Sequence, residues 1–164
     1  MELFEEPQAL NDVRAFHHTF DLPVVAKPSI PSPQRCNLRV NLLEEELREL
    51  KDAIDSQDLV GIADALCDLQ YVLSGAVLEF GLGERFHRLF SEVQRSNMSK
   101  RCLTMEEAQQ TQEHYRAKDG TESIVVAKDE AYLVYRREDH KVLKSVNYSP
   151  ADLESLIPDH KSRP

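Results

Sequence analysis

Two acidic stretches on adjoining helical segments constrain this chain more than any other feature. The first reads Leu43-Glu44-Glu45-Glu46-Leu47-Arg48-Glu49-Leu50, and the second reads Ala63-Asp64-Ala65-Leu66-Cys67-Asp68-Leu69. Residues three and four apart share a helix face, so Glu45 and Glu49 align, as do Glu46 and Glu49, and so do Asp64 and Asp68. The aspartates interrupt an otherwise apolar run, where unpaired carboxylates are costly. Antiparallel packing of the two helices converges up to five carboxylates: Glu45, Glu46, Glu49, Asp64 and Asp68. Such a group repels itself unless a cation sits within it. A divalent metal, Mg²⁺ above all, matches carboxylate oxygen ligands. The competing reading is a solvated Glu-rich face paired with Arg48 and Lys51, to which Glu44 is expected to belong. One structural ion pair with Arg39 or Arg48 explains one aspartate, and explains two of them, a turn apart, less well.

The surrounding pattern is mostly helical. Residues 7–20 carry Leu10, Val13, Phe16, His17 and Phe20 at helical spacing, and Pro23, Pro28, Pro31 and Pro33 then mark an extended connector. A helix is expected over residues 34–56, with Val40, Leu43, Leu47, Leu50 and Ile54 as a narrow buried seam. Asp58 suits the N-cap of a third helix, over residues 59–80, apolar around most of its circumference and expected to be the most buried. Gly75 within it serves either close backbone approach or ordinary packing. Gly81-Leu82-Gly83 ends that helix, a fourth is expected over residues 84–96, and Thr104 with Glu107 forms a capping box for a fifth, reaching residue 118. After Asp119-Gly120 the residues turn strand-like, at 123–127, 131–136 and 142–146, and Ser149-Pro150-Ala151-Asp152 suggests a last short helix. The expected fold is an all-α core of four to five helices with a small C-terminal antiparallel β meander. The expected division is a helical domain over residues 1–118 and an accessory over 119–164.

Composition narrows the partners. The formal net charge of the 164 residues is -9, which argues against a nucleic-acid or membrane-surface binder, since either wants a basic face. Cys36, Cys67 and Cys102 are scattered, with no Cys-x-x-Cys, so neither a zinc site nor a disulfide framework is expected. Residues 1–20 lack a continuous apolar stretch, and Tyr71–Leu82 is too short and interrupted to span a bilayer, so a cytoplasmic protein is expected. Near the end of the fourth helix, Arg95 and Lys100 suit phosphate charge and Asn97 suits a phosphate oxygen or base. Their plainer reading is a basic helix end that complements the dipole. His17 and His18 are expected to pack rather than to react. Tyr132, Tyr135, Arg136, Arg137 and Lys144 suit a lid, a subunit contact or a stabilising accessory.

These residues carry a resemblance. Glu45-Glu46-Leu47-Arg48-Glu49 matches the Glu-Glu-x-x-Glu signature of the all-α nucleoside triphosphate pyrophosphohydrolases, a superfamily that includes the MazG-like enzymes, dimeric all-α dUTPases and phosphoribosyl-ATP pyrophosphohydrolase. Asp64-Ala-Leu-Cys-Asp68-Leu-Gln-Tyr71 is similar to its second motif, and the runs Asp64–Gly83 and Glu92–Lys100 resemble the phosphoribosyl-ATP pyrophosphohydrolase-like branch most closely. The likeness covers roughly residues 10–117. It departs from the pattern at Gly61 and Ala65, where a carboxylate three residues before an aspartate is expected, which puts the number of metals in question. The resemblance implies an Mg²⁺-dependent hydrolase, with Mn²⁺ as a substitute, that splits a nucleoside triphosphate between the α- and β-phosphates into monophosphate and pyrophosphate. It implies Glu45, Glu46, Glu49, Asp64 and Asp68 as metal ligands, one Glu instead orienting the water, and Lys100, Arg95 and Asn97 as phosphate or nucleotide contacts. It also implies a homodimer or homotetramer. The alternatives are a non-catalytic helical oligomer that senses nucleotide or metal, favoured by Gly61 and Ala65, and a purely structural bundle.

Overall fold

The computed structural model describes residues 3–157. Its described residues form two compact units, residues 3–86 with Ile157, and His87–Leu156, the latter holding most of the fourth helix, the fifth helix and the C-terminal strands.

The first unit is built on three helices, α1 (Ala9–Thr19), α2 (Pro33–Asp55) and α3 (Leu59–Glu79). Local chemistry fixes their ends. Ser32 accepts a hydrogen bond from the Arg35 N–H at 3.4 Å and Pro33 occupies the first turn of α2. Asp58 caps α3 through the Val60 N–H at 3.0 Å, as its position in the sequence leads one to expect. Gly81, at φ 68°, ends the segment after α3, and the connector presses on it so closely that a Cβ there would lie 2.0 Å from the Lys27 carbonyl oxygen. The Val25 and Ser29 N–H groups donate to the carbonyls of Leu78 and Phe80, so the proline-rich segment is tied to the end of α3.

Two close approaches set how α2 and α3 align. A Cβ at Gly61 would lie 3.2 Å from the Ala53 Cβ, and one at Gly75 would lie 2.6 Å from an Arg39 nitrogen. The helices are therefore antiparallel and in close contact at both places. Gly75 makes room for a side chain, the Arg39 guanidinium, rather than for another backbone. That guanidinium and the Arg35 guanidinium both pair with Glu79, which is almost wholly buried. Burial alone pushes the Glu79 carboxyl up, but the hydrogen bonds from Arg35 and Arg39 outweigh it and hold the group below its ordinary value. Buried His17 completes the network: its Nδ1 lies 2.8 Å from the Pro23 carbonyl and its Nε2 lies 3.4 Å from an Arg39 nitrogen. A carbonyl only accepts and a guanidinium only donates, which fixes the Nδ1–H tautomer of a neutral ring. His17 thus packs, as expected from its place on α1.

The expected seam along α2 is covered in part. Leu43 and Leu50 are half-buried, but Val40, Leu47 and Ile54 are each more than half exposed, as are Leu59, Val60 and Leu66 on α3. The cause is that α2 meets α3 through Arg39, Leu42, Glu46, Leu50 and Ala53, a face turned away from Val40 and Leu47. By length and composition α3 is apolar enough to cross a membrane, although it carries Asp64, Asp68 and Glu79 and packs against α1 and α2.

A 3₁₀ turn (Gly83–Arg85) leads into α4 (Phe86–Met98), which runs into the second unit. There α5 (Met105–Asp119) packs on a hairpin of β1 (Ser123–Lys128) and β2 (Ala131–Arg136), paired from Ser123 with Arg136 to Lys128 with Ala131. Cys102, Ala108, Val134 and Leu143 form its core. Thr104 caps α5 at the Glu107 N–H, and the buried Glu107 carboxylate accepts from the Leu103 N–H at 2.8 Å and from the Ser145 hydroxyl. The all-α core with a small C-terminal antiparallel sheet is as the sequence suggests. Two local expectations fail. Residues 142–146 make a single bridge, Val142 with Tyr135, rather than a third strand. The chain there turns inward, burying Leu143 and Ser145, and the Val146 N–H is taken by the Thr111 hydroxyl at 3.1 Å. Residues 149–152 are not helical either, because Arg95 and Glu92 claim their polar groups.

The buried network makes a direct prediction. Glu79→Gln leaves two guanidinium groups without their counter-charge and is expected to cost about 3–5 kcal/mol in urea unfolding. Gly75→Ala, which drives a methyl into Arg39 and His17, is expected to cost about 1–3 kcal/mol.

Candidate active site

The acidic turns lie midway between the two contacts that align α2 and α3. Glu46 is seven residues from both Arg39 and Ala53, and Asp68 is seven residues from both Gly61 and Gly75. Antiparallel pairing therefore brings Glu46 level with Asp68, and Glu49 and Asp64 fall one turn further along. Glu46 is half-buried, while Glu45, Glu49, Asp64 and Asp68 are exposed. The electrostatics report the convergence. Glu46 is held above its ordinary carboxyl value, first by burial and then by the negative charge of Glu49, Asp68, Glu45 and Asp64. The other four sequence-identified carboxylates thus all act on Glu46.

Basic partners do not relieve this repulsion. Among the described residues, none of the five makes a hydrogen bond or ion pair, and Arg48 and Lys51 pair with none of them. Arg39 is engaged by Glu79 instead. The two positions that lack the expected carboxylate are packing positions. Ala65 is buried, and a Cβ at Gly61 would lie 2.8 Å from an Asp58 oxygen as well as close to Ala53. A longer acidic side chain at residue 61 has no room while the helices stay this close.

A cavity of about 250 Å³ lies among α1, α2 and α3, and its lining includes residues one helical turn from the acidic positions. Leu42, one turn before Glu46, and Tyr71 and Val72, one turn after Asp68, line it with Phe16, His17 and Arg39. Phe16 and Tyr71 meet edge to face, with ring centroids 5.6 Å apart. Sequence reasoning passed over this cavity and the Arg35–Glu79–Arg39 network behind it. The available signal was Glu79, a charge within an apolar helix.

The sequence profile of the family described as phosphoribosyl-ATP pyrophosphohydrolase matches residues 13–97, more than half of the chain. The chain belongs to the phosphoribosyl-ATP pyrophosphohydrolase family. The matched segment spans the later part of α1, the connector, α2, α3 and most of α4, and so contains every carboxylate of the site. An uncharacterized protein of Acanthamoeba polyphaga mimivirus is 29% identical over 159 residues. The alignment covers 85% of this chain and 63% of the viral protein, so the chain spans less than two thirds of that relative's length.

Membership of this family makes a resident cation the question to ask of the carboxylates. Their chemistry fits one: hard oxygen donors, no competing base, and a glutamate whose proton affinity is raised by its neighbours. Among the described residues, no three His, Cys, Asp or Glu side chains are drawn tightly enough together to hold an ion as they stand. Exposed carboxylates that repel one another spread apart in the absence of a counter-charge.

The three expected phosphate contacts lie in the second unit and differ from one another. Lys100 donates to the Asn97 side-chain oxygen at 2.8 Å, which leaves further ammonium protons for an anion. Arg95 is committed. It forks onto Glu92 at 2.7–2.8 Å and also donates to the Ser149 hydroxyl and the Pro150 carbonyl.

Glu46 supplies a test that needs no turnover. Its raised value means that its contribution to stability is full below the ordinary carboxyl range and is lost as pH rises through the raised value. At neutral pH, metal-free Glu46→Gln protein is expected to melt at a higher temperature than the unaltered protein. Millimolar Mg²⁺ is expected to raise the melting temperature of the unaltered protein and leave that of Glu46→Gln nearly unchanged.

Proposed function

We propose that this pyrophosphohydrolase-family chain is an Mg²⁺-dependent hydrolase of nucleoside triphosphates, cleaving between the α- and β-phosphates to release a nucleoside monophosphate and pyrophosphate. The observation that carries the reading is the acidic pair of turns centred on Glu46, on which Glu45, Glu49, Asp64 and Asp68 all act, with no basic partner among the described residues. Carboxylates repel a triphosphate, so they serve it only through cations. Glu45, Glu46, Glu49, Asp64 and Asp68 are the residues to hold Mg²⁺, or Mn²⁺ in its place. When bound, the metal supplies Lewis acidity and neutralises charge on the departing pyrophosphate. The protein's own part is to fix the carboxylates on two helices in set register, with one glutamate orienting the attacking water. The neighbouring cavity, with Phe16 and Tyr71 on its wall, suits a planar base, and Lys100 and Asn97 suit phosphate oxygens.

A homo-oligomer is part of the proposal. Val40, Leu47 and Ile54 recur every seven residues on α2, and Leu59, Leu66 and Leu73 do so on α3, all exposed. Six large apolar side chains in two such rows call for a covering surface, and a second copy of the chain provides one. Leu47→Glu with Leu66→Glu is expected to convert a dimer or tetramer to monomer in light scattering. The free Cys36, Cys67 and Cys102 favour a reducing, cytoplasmic setting.

The second reading is a nucleotide or metal sensor without turnover, favoured by the absence of carboxylates at Gly61 and Ala65. Pyrophosphate release from a panel of ribo- and deoxyribonucleoside triphosphates with Mg²⁺ separates the two. We expect release, and we expect Glu49→Gln and Asp68→Asn each to reduce it at least about 100-fold with helix content unchanged. Tight metal-dependent nucleotide binding without any product selects the sensor.

A further inference from the structure

The second unit gathers cationic groups that the acidic site does not explain. Residues 145–152 are stapled along the end of α4. The Ser145 N–H donates to the Lys100 carbonyl at 3.2 Å, the Ser149 N–H to the Ser99 hydroxyl at 2.9 Å, and the Asp152 N–H to the Glu92 carboxylate at 2.8 Å. Arg95 closes the staple through Ser149 and Pro150. Glu92 is pulled down to about 2, first by the Arg95 hydrogen bonds and then by the Asp152 N–H, so the pair is spent within the staple.

The staple places Tyr148 and Lys144 at the Lys100 end of α4. The Tyr148 hydroxyl lies 3.0 Å from the Ser96 hydroxyl, and the Lys144 ammonium sits over the Tyr148 ring, 4.3 Å from its centroid. The Tyr148 phenol is held below its ordinary value, by the Ser96 hydrogen bond first and then by the charges of Lys144 and Lys100. Two ammonium groups thus bear on one phenol oxygen. Among the described residues, neither lysine is paired with a carboxylate. In a chain with nine more acidic than basic residues, two lysines beside one phenol with no carboxylate partner make a local positive patch.

We propose that Lys100, Lys144, Tyr148 and Asn97 form an anion site for a phosphate or pyrophosphate group, and that Arg95 is a positioning residue that holds the segment carrying Lys144 and Tyr148. The roles of Lys100 and Asn97 are shared with the functional reading above and rest on it. Those of Lys144, Tyr148 and Arg95 rest on the geometry of this unit. Lys144 supplies a second point charge, the Tyr148 hydroxyl a donor that Ser96 orients, and the Asn97 amide a further donor while its oxygen holds Lys100.

The test is calorimetric titration of sodium pyrophosphate into the full chain in EDTA, where the carboxylates hold no metal and contribute no affinity. Saturable binding is expected. Lys100→Met and Lys144→Met should each weaken it about tenfold or more and Tyr148→Phe severalfold, with Lys144→Arg restoring most of the loss. Lys118→Met removes the same charge from another tyrosine face, beside Tyr115, and should change nothing. Absence of saturable binding, or equal weakening by Lys118→Met, overturns the proposal. Far-UV circular dichroism confirms that each variant is folded, and Lys144→Arg and Tyr148→Phe keep the test decisive if Lys144→Met is not. Nucleotide turnover is read separately, so a protein that hydrolyses triphosphates but binds no metal-free pyrophosphate contradicts this site and leaves the hydrolase reading standing.

Discussion

The burial of Glu79 between Arg35 and Arg39 is the interaction on which the first unit turns. It joins α2 to the end of α3, and through His17 and Pro23 it reaches α1 and the connector. Burying a carboxylate is costly unless its partners are close and hydrogen-bonded, which both arginines are. Gly75 is the condition for this arrangement, since any side chain there meets the Arg39 guanidinium. With the helices fixed at that end and packed through Gly61 and Ala53 at the other, there is no freedom to slide. Glu46 and Asp68 face each other because the ends leave them nowhere else to go.

The register imposes a cost on the middle of the same helix pair. Five carboxylates share this stretch of the helix pair without a counter-charge among the described residues, and Glu46, the one that is half-buried, bears the effect. A chain built for stability alone would spread those charges or pair them with Arg48 and Lys51. A stability lock at one end and an electrostatic burden a few turns away is the arrangement expected of a cation-dependent site. The apolar rows of α2 and α3 are exposed among the described residues, and their covering by another copy of the chain is part of the functional proposal.

Much of this was legible in the sequence, and the reasons are local. Helical spacing of Glu45, Glu46, Glu49, Asp64 and Asp68 fixes which carboxylates share a face, and Asp58, Thr104 and Gly81 mark helix ends by their own hydrogen bonds or backbone preference. Long-range choices were not legible. Nothing within a few residues of Arg39 says that it pairs with Glu79, forty positions on, rather than with an aspartate. The same holds for residues 142–152. Their strand and cap chemistry is genuine, but Thr111, Glu107, Glu92 and Arg95 on other elements compete for their polar groups and win. Arg95 suits a phosphate by its type, but only the structure shows that Glu92, Ser149 and Pro150 engage it and that Lys144, read as part of an accessory, lies over the Tyr148 ring.

The central claim is that α2 and α3 hold their carboxylates in register to share a divalent cation. Anomalous diffraction from crystals soaked in Mn²⁺ tests it most directly. The account predicts a peak between the two helices, within ligand distance of carboxylate oxygens from both Glu49 and Asp68. A peak elsewhere, or those two side chains facing separate surroundings with no metal between them, contradicts it.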